Sequence, residues 1–215
     1  MSPHLAATTH RLRPSRAISK MALLLLAVFS AGCGGSDTAT ESIPAAKYRY
    51  AADAEMTATL AETAARDIVI RCPAGWRETV DQKNAPNIVL WIVAENYGAS
   101  LSFVPLQMDP VLYTALHRDG LSAVAKVSLS LKRDNARDSV RVLQPPESFT
   151  LNRRDYVAYE YSADGGKTAI RVVLFDTGRQ YMECALLPAT QPVTPDENRR
   201  LFSVQQSVLA SMVVK

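Results

Sequence analysis

The chain has 215 residues, with 24 Lys and Arg, 21 Asp and Glu, and three Cys. Residues 1–33 hold four of those cations and none of the acids, so the formal charge of +3 belongs to the leader, and the remainder carries 20 positive against 21 negative side chains. A near-neutral body of this length makes one ordinary domain with a real core, and gives no electrostatic case for nucleic acid.

The first element is an address. Arg11, Arg13, Arg16 and Lys20 precede the uncharged apolar run Met21–Phe29. That is the order of a secretory signal, and the run is about half of the roughly 20 residues a membrane span requires. Ser30-Ala31-Gly32-Cys33 follows. This stretch resembles the lipobox of bacterial lipoproteins, although Ser30 stands where that family usually has Leu. The resemblance implies cleavage between Gly32 and Cys33, diacylglycerol on the Cys33 thiol and an acyl chain such as palmitate on its amine. Small side chains at Ala31 and Gly32 let the extended backbone enter a peptidase, and only Cys supplies the thiol. An ordinary signal peptide cut nearby is the alternative. Residues 34–42 are small and polar, as a flexible tether would be. Gly34 is not the Asp that marks inner-membrane retention in enteric lipoproteins, so the resemblance implies the periplasmic face of an outer membrane where the source has one. The expected organisation is a signal peptide over 1–32, a lipidated Cys and tether over 33–47, and a single domain over 48–215.

Residues 51–66 are Ala-rich with Met56, Leu60 and Ala64 in phase, which predicts a helix. Ile68, Ile70 and Cys72 alternate in the next strand, 67–72, which the sequence PAGW (73–76) breaks. Residues 87–94 are apolar on both faces and predict a central strand. Asn96-Tyr97-Gly98 turns the chain into an antiparallel partner over 100–107, with Leu101 and Phe103 inward and an end at Pro105. Asp109 caps and Pro110 opens a short helix closed by Gly120. Residues 121–133 read either as a second helix or as a helix running into a strand.

Residues 138–144 predict a short strand before Pro145-Pro146. Three strands then form a meander over 154–162, 167–175 and 180–187, with Asp164-Gly165 in the first turn. Val157, Tyr159 and Tyr161 share a face, as do Ile170, Val172 and Leu174, and Met182, Cys184 and Leu186 point inward. Thr194-Pro195-Asp196-Glu197 spells a capping box. Beyond it Leu201, Phe202, Gln205, Val208, Leu209 and Met212 trace one helical face on which only Gln205 is polar. The predicted class is α+β, a central, mostly antiparallel sheet of five to seven strands flanked by helices.

Three stretches taken together carry a resemblance. They are CPAGWRE after a strand, the meander from YVAYEYS to MECALL, and a closing helix ending VLASMVV. Over about residues 67–214 they resemble the PsbP/Mog1/DcrB-like superfamily, though Ala210-Ser211-Met212 departs from that family's Ser-Phe ending. The resemblance implies an α/β/α sandwich with no shared catalytic residues, no cofactor and accessory, assembly or binding roles.

The chemical inventory agrees with a protein that is not an enzyme. His117 is the one histidine after the leader, so a histidine metal cluster is out and a Ser/His/Asp triad has one candidate. Asp155, Glu160, Asp164 and Asp176 lie in or beside the meander, but Asp164 and Asp176 are in turns where Asp serves local hydrogen bonding. Arg153-Arg154 and Arg199-Arg200 read as solvated pairs, Trp76 as a cover on the end of the core, and Tyr48 and Tyr50 as packing back on the domain. Cys72 and Cys184 fall on inward strand faces; a disulfide between them is expected in an exported domain, with two buried free thiols as the alternative. The functional expectation is a lipid-anchored envelope protein that holds the bilayer through Cys33 and binds or assembles an envelope protein partner. The alternative is a carrier of a small ligand or lipid in an apolar pocket between sheet and helices.

Overall fold

The computed structural model describes residues 50–79, 83–135, 140–189 and 193–215. The leader, Gly32, Cys33, the tether and Tyr48 lie outside them.

Among the described residues ten strands and two helices follow one another as β1 (Met56–Glu62), β2 (Ile68–Pro73), β3 (Trp76–Thr79), β4 (Leu90–Ala94), β5 (Ala99–Pro105), α1 (Pro110–Asn135), β6 (Arg141–Leu151), β7 (Arg154–Ser162), β8 (Ile170–Asp176), β9 (Tyr181–Pro188), α2 (Pro195–Ser211) and β10 (Val213–Val214). Seven strands form one antiparallel sheet in the order β3-β4-β5-β9-β8-β7-β6, and β1-β2-β10 form a second. This is the expected α+β architecture, with three layers. On one face of the large sheet, Phe103, Phe175, Met182, Cys184 and Leu186 pack with Ile68, Ile70 and Cys72 of β2 and with Phe202, Val208 and Leu209 of α2. On the other, Val157, Tyr159, Val172 and Leu174 pack against Leu112, Val124, Ala125 and Leu129 of α1. β7 and β8 are apolar on both faces because both faces are covered.

Four expectations are corrected. The predicted helix at 51–66 is instead strand β1, which pairs with β2 through Leu60↔Arg71, Ala61↔Ile70 and Glu62↔Val69. Leu60 lies 59% exposed while Ala61 is fully buried, so the helical spacing of Met56, Leu60 and Ala64 marks no apolar face. Period two, Ala61 and Thr63 inward, wins because β2 supplies a ladder partner. PAGW breaks β2 as expected, but Trp76 at its end opens a further strand, β3, which pairs with β4 from Trp76↔Ala94 to Thr79↔Trp91. β4 is therefore next to an edge rather than central. The strand before Pro145-Pro146 continues through both prolines as β6. Prolines survive there because β6 is an edge strand and its register slips at Val142/Gln144 and Gln144/Glu147.

The helical ambiguity after Gly120 resolves as a second helical segment joined to the first at a kink, where Gly120 has φ 71° and ψ −164°. Only glycine adopts that conformation readily. Asp109 Oδ1 accepts from Leu112 N–H at 2.8 Å at the start of α1. The predicted capping box of α2 is complete: Thr194 Oγ1 accepts from Glu197 N–H at 3.2 Å, and Glu197 Oε2 accepts from Thr194 N–H at 2.8 Å.

The fourth correction concerns sulfur. Cys72 and Cys184 are free thiols, both buried. They belong to one apolar cluster but to different sheets, β2 and β9, so they do not meet across a shared ladder. Burial pushes the Cys184 thiol up to about 12, against a hydrogen bond from Gln205 and the nearby Arg171 charge that lower it. Burial also raises Cys72, helped by the Glu78 carboxylate. Such thiols are inert as nucleophiles. Treating the native protein with dithiothreitol is expected to leave its unfolding midpoint unchanged. A disulfide closing so long a loop would contribute about 4–5 kcal/mol, so a large drop on reduction would contradict the free thiols.

Candidate functional site

One end of the large sheet gathers the features that a binding site needs. The β2–β3 turn, the β4–β5 turn, the β7–β8 hairpin and the first two turns of α2 all lie there. α2 forms a ridge between two open clefts, and Val193 just before it lines both.

The first cleft holds about 530 Å³ between α2 and the two turns. Trp76, Ala94, Ala99 and Leu201 give it an apolar floor, with Glu197 and Arg200 on the α2 side. The β2–β3 turn takes its shape from Gly75, whose φ of 72° is left-handed and whose carbonyl accepts from Glu95 N–H at 2.8 Å. Trp76 packs against the core as expected and also lines this cleft.

The second cleft holds about 400 Å³ between α2 and the β7–β8 hairpin. Tyr50 and Phe202 wall it with rings edge to face at 5.1 Å. The Tyr50 hydroxyl donates to Glu160 Oε1 at 2.7 Å. Glu160 on β7 is 7% exposed and stands opposite Arg171 on β8. Arg171 is 4% exposed and donates to Gln205 Oε1 at 2.9 Å and Gln206 Oε1 at 3.0 Å. Its guanidinium lies 5.1 Å from the Tyr50 ring centre and 5.7 Å from that of Phe149. Gln205 donates onward to the Cys184 carbonyl at 2.9 Å and the Arg171 carbonyl at 3.2 Å. A buried polar network thus ties α2 to β8 and β9 and fastens Tyr50 beside them.

A second buried network lies under α1. Ser128 bonds the Tyr159 hydroxyl at 2.9 Å and donates to Glu183, which also accepts from Lys132 at 3.0 Å. Burial, then the Glu183 charge, holds the Tyr159 phenol far above its usual range. These bonds fasten α1 to β7 and β9.

The remaining predicted residues are dispersed. His117 is exposed on α1, its ring 4.2 Å from that of Tyr113. Asp155 accepts from Thr150 Oγ1 at 2.8 Å, and Asp176 accepts from Gly178 N–H at 2.7 Å. Asp164 is held well below the carboxylate range by the Ser162 and Thr168 hydroxyls and by backbone N–H groups of Thr168 and Lys167. Arg153 sits at φ 64° in the β6–β7 hairpin after Asn152 at 50°, a turn that requires two positive φ values. Arg199 and Arg200 part company, one lining each cleft. Among the described residues no three His, Cys, Asp or Glu side chains gather as a metal site would require, and no helix is long and apolar enough to cross a membrane. The sequence reading missed Arg171, Gln206 and Asn198. Its one pointer was Gln205, the polar residue in the apolar stripe of α2.

No family model matches this chain, and no curated protein matches it in sequence. Solved structures do. The solution structure of cyanobacterial PsbP from Synechocystis is 13% identical with a TM-score of 0.54, over 73% of this chain and 92% of that one. A point mutant of Mog1 is 13% identical with a TM-score of 0.48, over 74% and 96%. LpqN of Mycobacterium tuberculosis, described as involved in cell envelope biogenesis, is 15% identical with a TM-score of 0.35, over 69% and 83%. The first likeness shows a PsbP-like fold; the other two are too distant in backbone to carry an argument.

Proposed function

We propose that this chain is an exported, lipid-anchored accessory protein that binds another envelope component through the cleft-bearing end of its domain. The observation that carries the reading is where the chain enters. Tyr50, 17 residues after Cys33, is fastened by Glu160 and Phe202 beside the second cleft. The same end offers two open clefts with mixed apolar and charged linings. Open, mixed clefts suit protein recognition better than the enclosed apolar pocket that a lipid carrier requires.

The proposal has two separable parts, and two measurements test them. Cells fed a clickable palmitate analogue should label the wild-type protein, and Cys33→Ala should abolish the label; labelled Cys33→Ala would refute the anchor. Photo-crosslinking residues placed at Trp76, Arg200 and Arg199 should capture one common envelope species, whereas the same residue at His117 should not. Equal capture from all four positions would refute the assignment of the binding end.

A further inference from the structure

We infer that the cleft between α2 and the β7–β8 hairpin binds a small zwitterion carrying a primary ammonium and, a few bonds away, an anionic group. The inference stands on this cleft alone and does not depend on the lipid at Cys33.

The interior of the cleft offers acceptors. Glu160 is 93% removed from solvent, and its Oε1 receives one donor from Tyr50. A carboxylate accepts about four hydrogen bonds, so capacity remains. Asn198 also lines the cleft, and its Oδ1 is buried with no hydrogen-bond donor among the described residues. Orphan buried acceptors are uncommon and call for a missing partner. The rings of Tyr50 and Phe202 form the apolar wall, with the Arg171 guanidinium already 5.1 Å from the Tyr50 ring centre. A primary ammonium supplies three N–H donors and the charge in one group.

The mouth offers the opposite sign. Lys167 and Arg199 line the cleft and are both exposed. Among the described residues Arg199 is paired with Asp196 at 3.4 Å, a long and exposed contact. These cations repel a simple amine, and Arg171 beside Glu160 offsets part of the carboxylate's pull. A simple anion meets the buried Glu160. A ligand with both charges satisfies interior and mouth together. Free amino acids have this chemistry, and so does the phosphoethanolamine headgroup of a lipid. A volume of about 400 Å³ accommodates either.

The test is calorimetric titration of the full-length chain in detergent micelles with β-alanine, O-phosphoethanolamine and O-phosphocholine. Saturable binding of the first two is expected, with phosphocholine at least about tenfold weaker because its trimethylammonium has no N–H to donate. Lys167→Ala should weaken binding of the zwitterions while keeping that selectivity. Glu160→Gln should weaken binding by about tenfold or more, and Asn198→Leu provides the same test should Glu160→Gln fold poorly. Vesicles of phosphatidylethanolamine and phosphatidylcholine distinguish the sources: competition by the former alone assigns the headgroup, and competition by neither assigns the free amino acid. Equal affinity for phosphocholine, no saturable binding of any zwitterion, or wild-type affinity in Asn198→Leu would each overturn the inference.

Discussion

Replacing Arg171 with methionine is expected to lower the unfolding free energy by about 3 kcal/mol, seen as a lower urea midpoint at unchanged slope. The guanidinium is 4% exposed and holds two glutamine side chains of α2, Gln205 and Gln206, at 2.9 and 3.0 Å. A hydrogen bond from a charged donor contributes about 1.5–3 kcal/mol, and removing the donor takes it from the amide oxygens of two buried side chains. Methionine fills much of the stem volume, so the loss reports the polar contacts more than a cavity. Arg171→Lys should recover only part, because a single ammonium cannot span both glutamines as the fork does. Adding Gln206→Leu to Arg171→Met should restore some stability, since one orphan is removed with its partner. A wild-type midpoint for Arg171→Met would mean that the network holds α2 in place without stabilising the fold.

The same residue shows where the sequence was readable and where it was not. Strand alternation placed Ile170, Val172 and Leu174 on one face, and the structure agrees. By the same alternation Arg171 faces the other way, and nothing local says that α2 covers it. The one clue was Gln205, a polar side chain in an otherwise apolar stripe, which implied a buried partner without naming it. Elements announced by their own chemistry were legible. The capping box at Thr194 and Glu197, the Asp109-Pro110 start and the β7–β8–β9 meander depend on residues a few positions apart. Elements decided by distant pairing were not. Met56–Glu62 is a strand because β2 lies beside it, and its Ala-rich composition argues the other way. β6 carries two prolines that would stop an interior strand, and it persists because nothing pairs on its far side in this sheet. The clefts were illegible for the same reason: their linings come from three separated segments in one and four in the other, and single-chain periodicity cannot bring Glu160 and Asn198 to one place.

Alkaline pH is expected to unfold this protein early and steeply. Cys184 has its thiol raised from 9.0 to about 12, chiefly by burial. Tyr159 and Tyr161 are raised too, by burial first and then by the Glu183 charge. The native state therefore keeps protons that the unfolded chain releases. A raised pKa contributes stability that is whole below the unfolded value and is lost as pH climbs towards the folded one. For Cys184 that window runs from about 9 to about 12, and each pH unit removes about 1.4 kcal/mol, or roughly 4 kcal/mol across it. The phenols add to the slope once pH passes about 10, where an unfolded tyrosine ionises. Urea midpoints measured from about pH 8 to about pH 11 should fall with increasing steepness. Cys184→Ala should remove one proton's worth of slope from about pH 9 upward, although it also creates a small cavity that lowers stability at every pH. Tyr159→Phe should remove one from about pH 10 while losing the hydroxyl contact to Ser128 at 2.9 Å. The two variants separate the thiol from the phenol because their windows open about a unit apart. A slope between about pH 9 and about pH 10 that is the same in the wild type and in Cys184→Ala would show that the Cys184 thiol does not titrate in this window, against the raised value that burial gives it.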